Sequence, residues 1–410
     1  MFFSGLPDAV IVLNRAESNE AVAVRSEANA GCGSYHASVM HSFDLSEYRL
    51  RAPENILTPA LLIYPAIVQS NIDRMIGLMS GNADRWRPHL KTAKMDWVIR
   101  KLAASGVKQA KCATTLELLI ACESGMEDML IAFAHNGANA RRILEIARAH
   151  PAVRISTLIE SADQITAWTN SPVGLFVDIN PGMNRTGVDP THVEELVARV
   201  RDAGAEFRGL HYYDGHINQG NLDQRTETAQ PGYEALCGLA RRTGAEEVVT
   251  AGTPALPCSL GFAGFQNAGF THRVSPGTVV FNDSSSLRQL PELGFRAAAL
   301  VLSRVISHPT PAIITCDAGH KSLSVDSGVP NCQVLGYPGL LPQKPSEEHL
   351  PIEIGPGVDP PVVGGLLYLL PRHVCPTVNN FDYALMVQDG EVQSAQRVSA
   401  RGREHPLLVA

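Results

Sequence analysis

Between residues 60 and 290 the apolar positions switch repeatedly between two periods. Short β-rich runs occur at Trp86–Thr92, Gln109–Ala113, Met129–Ala134, Val153–Ile159, Val173–Asn180, Glu206–Tyr213, Glu247–Ala251 and Val274–Val280. The stretches between them, such as Ala140–His150 and His192–Ala203, space their apolar residues three and four apart, which predicts amphipathic helices. Asp189 and Pro190 just before the second of these supply a capping residue and a first-turn proline. A further helix is expected at Ile67–Met79, ahead of the first run. Eight β/α repeats predict an α/β fold of the closed (β/α)8 TIM-like barrel type. An open doubly wound sheet would show the same alternation, and the count of eight favours the barrel.

After residue 290 the alternation stops. Ala297–Ser307, Ala312–Asp317, Val363–Leu370 and Tyr383–Gln388 read as strands separated by Pro/Gly turns. Prolines at 330, 338, 342, 345, 351, 356, 360 and 361 leave little room for helices. The expected organisation is an N-terminal extension at 1–50, a barrel at 51–290 whose leading strand is able to join the second domain, and a C-terminal antiparallel β domain at 291–410. Residues 1–50 lack sustained periodicity.

Charge narrows the partners. The net charge is −7 and no basic run of five residues occurs, so a nucleic-acid footprint is not expected and a small-molecule substrate is. Eight cysteines at 32, 112, 122, 237, 258, 316, 332 and 375 form no CxxC. In a chain this long that pattern argues for free thiols and a cytoplasmic location. The start Met1-Phe2-Phe3-Ser4 has no basic flank, so no signal peptide is expected. No apolar window of membrane-spanning length appears either.

Several short motifs fall at ends of the expected strands. Lys91 closes the first run, in Arg87-Pro-His-Leu-Lys-Thr92. An inward lysine is costly there unless its charge is relieved, which a Schiff base does; a surface lysine is the plainer reading. The fifth run ends in Asn180-Pro-Gly-Met-Asn-Arg185-Thr-Gly187, a glycine-lined turn that presents Arg185 to the barrel mouth. Ala251-Gly-Thr-Pro254 and Ser275-Pro-Gly-Thr278 follow the seventh and eighth runs, where such barrels bind phosphate. Tyr212-Tyr-Asp-Gly-His216 ends the sixth run, and alternation allows one of the two tyrosines to face inward. His373 and Cys375 lie two apart. On a strand they would share a face, and imidazole with thiolate suits zinc. Two ligands leave a metal's remaining positions to water or substrate, and an isolated His-x-Cys is more often simply buried.

Pro88-His-Leu-Lys-Thr92, Gly182-Met-Asn-Arg-Thr-Gly187, Tyr213-Asp-Gly-His216, Ala251-Gly-Thr-Pro254, Pro276-Gly-Thr278, Asp317-Ala-Gly-His-Lys321, Ser346-Glu-Glu-His349 and His373-Val-Cys-Pro-Thr-Val-Asn379 stand in this order. Together they resemble the D-threonine aldolase and D-serine dehydratase family, fold-type III pyridoxal 5′-phosphate (PLP) enzymes with an alanine-racemase-like barrel. The resemblance runs from roughly residue 55 to 395. It implies Lys91 as the PLP lysine, with His89 and His216 as further catalytic candidates. It implies Arg185 and Tyr213 beside the cofactor, Gly252, Thr253, Gly277 and Thr278 on its phosphate, and His373 and Cys375 on a divalent metal (Zn, Mn or Mg). Departures from the pattern are Asn218-Gln219, where many relatives carry another histidine, and His320, where an apolar residue is usual. The His-x-Cys pair is dehydratase-like, whereas the following Thr377-Val-Asn379 is aldolase-like.

The implied activity is a PLP- and metal-dependent lyase on D-3-hydroxy amino acids. D-threonine aldolase-like cleavage to glycine and an aldehyde leads. Dehydration of D-serine or D-3-hydroxyaspartate to a 2-oxo acid and ammonia is the alternative. An amino-acid racemase needs two opposed bases and no metal, and a non-catalytic PLP carrier lacks an added β domain. The resemblance also implies a homodimer.

Overall fold

The computed structural model describes residues 45–408. Most of the extension expected at 1–50 therefore lies outside the described residues. The chain enters through β1 (Ala60–Ile63) and α1 (Pro65–Leu78), the helix opening on the proline that best tolerates a missing N–H. Seven strands follow in consecutive parallel order: β2 (Gln109–Cys112), β3 (Asp128–Ile131), β4 (Arg154–Ile159), β5 (Gly174–Ile179), β6 (Phe207–Tyr212), β7 (Glu247–Thr250) and β8 (Thr271–Val274). β2, β5, β6 and β7 are buried at every position, as strands covered on both faces must be.

The expected first barrel strand, Trp86–Thr92, is not a continuous strand. It touches its neighbours through two bridges, Trp86 with Val274 of β8 and His89 with Lys111 of β2. Arg87 N donates to the Val274 carbonyl at 2.9 Å, Lys111 N to Pro88 at 2.8 Å and Leu90 N to Lys111 at 2.7 Å. Pro88 has no N–H to give, so the ladder breaks there while the ring still closes. The β4–β5 crossover is a 3-10 segment, Ala162–Trp168. The others use α2 (Asp96–Ala104), α3 (Thr115–Glu123), α4 (Gly137–Ala149), α5 (Val193–Asp202), α6 (Leu222–Thr243) and α7 (Leu256–Gly261), with α8 (Ser284–Gln289) after β8. Asn221 and Gln224 close a capping box on α6, and Gly244, at φ 61°, ends it in the left-handed conformation.

The remaining strands are β9 (Ala299–Thr310), β10 (Ile313–Cys316), β11 (Cys332–Val334), β12 (Leu340–Pro342), β13 (Leu350–Ile354), β14 (Leu366–Pro371), β15 (Tyr383–Gln388) and β16 (Glu391–Arg397). Their sheet runs β12-β13-β10-β9-β1-β15-β16, with β14 also on β9 and β11 on β14. Pairing is antiparallel except between β1 and β15. β1 is therefore an inner strand of this second sheet, with Leu61 opposite both Val301 and Ala384.

The barrel's lower end is closed by charge. Arg87 is fully buried between Glu247 and Asp128, residues that begin β7 and β3, and Arg273 also pairs with Glu247. Among the described residues no helix is long and apolar enough to cross a membrane, and seven cysteines are free thiols.

Candidate active site

The upper end collects the chemistry-bearing residues. Lys91 emerges at the top of the closing segment, half-buried, its backbone N–H directed at His89 Nδ1 at 3.3 Å. Burial, with the charges of Lys91 and Lys111, holds the His89 imidazole neutral.

Arg185 is carried on a pinned turn. Asn180 Oδ1 accepts from the N–H groups of Gly182 and Asn184, at 3.0 and 3.1 Å, and Gly187 N donates to Glu160 at 2.6 Å. Gly187 has φ 101°, and a Cβ there would fall 2.4 Å from the Asn180 nitrogen, so glycine is required. The turn lays the Arg185 guanidinium on the Tyr213 ring, 4.7 Å from its centroid.

The two tyrosines divide as alternation demands. Tyr212 points out to α6, where its hydroxyl occupies the space a Cβ on Gly232 would need. Tyr213 faces the mouth. A Cβ on Gly215 would meet its ring and hydroxyl at 2.5 Å, and one on Gly252 would meet it at 3.1 Å. His216 is half-buried near the Arg185 turn, its Nδ1 buried without a hydrogen-bond partner.

The two glycine loops lie at the ends of β7 and β8. Gly277 passes so close to the closing segment that a Cβ would fall 2.2 Å from the His89 carbonyl oxygen. The Gly252 N–H is already given to Asp214 Oδ1 at 3.2 Å. The backbone N–H groups of Thr253, Gly277 and Thr278 have no such partner among the described residues.

Across the mouth stands the end of β14. His373 and Cys375 are not on a strand. β14 stops at Pro371, and His373 caps a short helix, α9 (Val374–Val378), whose Val374 N–H is held by the Asp283 carboxylate at 3.1 Å. Burial opposes it, yet the two side chains stay near enough that the Cys375 thiol helps push the His373 imidazole up, to about 9. Cys375 Sγ lies 3.0 Å from Thr92 Oγ1 and 3.6 Å from Thr278 Oγ1. Burial opposes ionisation of Cys375, but His373 and Lys91 outweigh it and hold the thiol below its ordinary range. His373 Nδ1 meets Asp326 Oδ2 at 2.6 Å.

Residues 63–284 match the model described as "Alanine racemase, N-terminal domain", more than half of the chain. The chain belongs to that alanine racemase family. Residues 298–387 match "Putative serine dehydratase domain". A D-threonine aldolase of Arthrobacter sp. is 28% identical over 363 residues, covering 84% of this chain and 93% of the relative. A 3-hydroxy-D-aspartate aldolase of Paracoccus denitrificans (strain Pd 1222) is 28% identical over 374 residues, covering 85% and 93%. The crystal structure of D-threonine aldolase from Filomicrobium marinum superposes with a TM-score of 0.75 at 27% identity, covering 84% of this chain and 96% of that one.

The racemase-family barrel end suits PLP by its own geometry. It offers a lysine, three backbone donors without a partner among the described residues, and an arginine stacked on a tyrosine. The pair facing it is thinner as a metal site, because no group of three or more His, Cys, Asp or Glu residues gathers among the described residues. His373 and Cys375 fit a metal as two donors of suitable chemistry, with the other positions left to non-protein ligands.

Four residues of the site were not singled out from the sequence. Asp214 is fully buried, accepts from Tyr233 Oη at 2.5 Å and from Gly252, and ties β6 to the loop after β7. Lys111, His211 and Asp178 form a polar layer beneath Tyr213. A lysine in the otherwise apolar run Ala110–Ala113 was the available signal.

Proposed function

We propose that the chain is a PLP- and divalent-metal-dependent lyase of D-3-hydroxy amino acids, cleaving them as a D-threonine aldolase does to glycine and an aldehyde. The observation that carries this is the approach of the His373–Cys375 pair to the lysine segment, with Thr92, the residue after Lys91, bonded to Cys375. A racemase has no use for such a pair beside its lysine.

Bound here, PLP supplies an electron sink for the bonds at the substrate's Cα. Lys91 would hold the cofactor covalently through its amine. Arg185 would offer its guanidinium to the cofactor's phenolic oxygen, and Tyr213, on which Arg185 stacks, would line the cofactor's pocket. The N–H groups of Thr253, Gly277 and Thr278 receive the phosphate, while Gly252 serves that loop through Asp214. His373 and Cys375 would hold the metal, which would supply Lewis acidity toward the substrate. His89, kept neutral, and His216 are the nearby groups able to accept a proton.

The match of residues 298–387 to a serine dehydratase domain favours a second reading, dehydration to a 2-oxo acid and ammonia. The whole protein would work as a homodimer in the cytoplasm. The deciding experiment gives purified protein D-threonine and D-serine with PLP, with and without a chelator. Glycine plus acetaldehyde, lost with chelator and in Lys91→Ala, is expected. A 2-oxo acid with ammonia would replace the aldolase reading by the dehydratase, and PLP binding with no turnover of either would overturn both for these substrates.

A further inference from the structure

The layer beneath Tyr213 has no task in the reaction so far. Lys111 of β2 is buried at 2% exposure and reaches across the barrel to β6, where its Nζ lies 3.1 Å from His211 Nε2. His211 Nδ1 in turn meets Asp178 Oδ1 of β5 at 2.7 Å, in direct register. A carboxylate there only accepts, so the imidazole proton sits on Nδ1 and the Nε2 lone pair is turned to Lys111. Lys111 thus faces a neutral base. Lys94, by contrast, is a buried lysine paired with the Glu117 carboxylate at 2.9 Å.

Lys111 also adjoins the attachment lysine. Its backbone is hydrogen-bonded to Pro88 and Leu90, just before Lys91, and its Nζ stands 5.6 Å from the Tyr213 ring centroid. Burial first, and then the charge of Lys91, bring its amine down to about 7, with Arg185 adding to the effect and Asp178 and Asp214 opposing it. Of the other titratable neighbours, Tyr213 presents its ring face, and His89 and His211 are both held neutral chiefly by burial.

We propose that Lys111 is a positioning residue for Lys91, taking up the proton that Lys91 must shed before bonding the cofactor aldehyde and returning it when that bond is released. The step is one proton transfer. The Lys91 ammonium becomes an amine, the Lys111 amine becomes an ammonium that donates to His211, and no net charge enters the barrel. The freed Lys91 lone pair then bonds the aldehyde carbon, and the aldehyde oxygen departs as water with the two hydrogens of that amine. The inference rests on Lys91 being the attachment lysine.

The test uses the full chain stripped of cofactor and PLP itself as the probe. Covalent capture is followed by visible absorbance, and borohydride trapping with peptide mass mapping locates it, across about pH 6 to 9. The wild type should reach half its maximal capture rate near neutrality. Lys111→Met should slow capture at neutral pH by about 10- to 100-fold and move the half-maximal point up by one unit or more, toward the ordinary lysine range. Lys111→Arg keeps a charge that cannot be given up, and should fail equally. Wild-type capture by Lys111→Met, or rescue by Lys111→Arg, would overturn the relay. If Lys111→Met does not fold, His211→Gln decides by the same profile: a raised half-maximal point supports the relay and an unchanged one overturns it. Absence of capture by the wild type would instead overturn the attachment reading beneath it.

Discussion

Arg87 and Glu247 meet as two parallel hydrogen bonds inside the barrel, Nε to Oε1 at 2.7 Å and Nη2 to Oε2 at 2.8 Å. The other side of the same guanidinium takes Asp128 at 3.0 and 2.7 Å. A flat fork satisfied on both edges is a use of arginine that lysine could not match. The layer lies two residues below the lysine segment's bridge to β2, so it sets the floor on which Lys91 stands.

Arg87→Met should destabilise the protein by about 3–5 kcal/mol in a urea titration, because it leaves the buried Glu247 and the partly buried Asp128 carboxylates short of their partner. The pH dependence should change with it. Burial opposes ionisation of Asp128, but Arg87 outweighs that and depresses its carboxyl. A depressed acid contributes stability that is present above the unfolded value near 4 and is lost as pH falls. The variant should lack this acid-side loss. A destabilisation under about 1 kcal/mol would mean the network is worth no more than a surface pair.

His272 gives a second pH signature. It stacks on Phe265 at 4.0 Å, its Nε2 is bonded to Thr250 at 2.8 Å, and burial pushes its imidazole down to about 3. The folded ring stays neutral while the unfolded ring charges below about 6.5, so stability is full above that value and falls between 6.5 and 3. His272→Gln should remove up to roughly 1 kcal/mol per pH unit of that slope. Unfolding free energies measured across the window, with an undiminished slope in the variant, would contradict this.

Gly277→Ala should act on the cofactor through the backbone. Its added methyl meets the His89 carbonyl, which no side-chain rotation can relieve, and strain of about 1–3 kcal/mol is expected. PLP affinity, measured by equilibrium dialysis, should fall about tenfold or more, whereas Gly261→Ala, where a Cβ meets nothing within 4 Å, should leave it unchanged.

Asp326→Ala should loosen the proposed metal rather than abolish it. The carboxylate holds the His373 ring through Nδ1, leaving Nε2 as the free donor. Loss of such an outer partner weakens metal binding by about 10- to 100-fold. Competition against a chelating dye would measure it, and unaltered affinity would remove Asp326 from the site.

Much of this was legible in the chain because two simple periods dominate it. Strands buried on both faces read as apolar runs, and the helices over them alternate every three to four residues. What escaped was set by single atoms or distant partners. Pro88 breaks the first barrel strand by lacking one N–H. Gly232, on a helix, leaves the space that the outward Tyr212 hydroxyl fills. His373 and Cys375 would share a face on a strand, yet the chain leaves β14 at Pro371 and turns into a helix from Val374. Asp326 lies 47 residues from the histidine it orients, beyond the reach of any local pattern. Lys111 was visible as a charge in an apolar run, but its partners on β5 and β6 were not.

The place of β1 between β9 and β15 has a consequence for biosynthesis. Its first partner begins only at Ala299, so at about 5–20 residues per second the ribosome needs roughly 10–50 s after Ile63 to supply it. Through that interval the barrel can assemble while four residues, Ala60–Ile63, wait with both edges open. A nascent chain arrested before residue 299 should therefore recruit holdase chaperones at this short segment, and a polypeptide starting at 291 should be missing the middle of its own sheet.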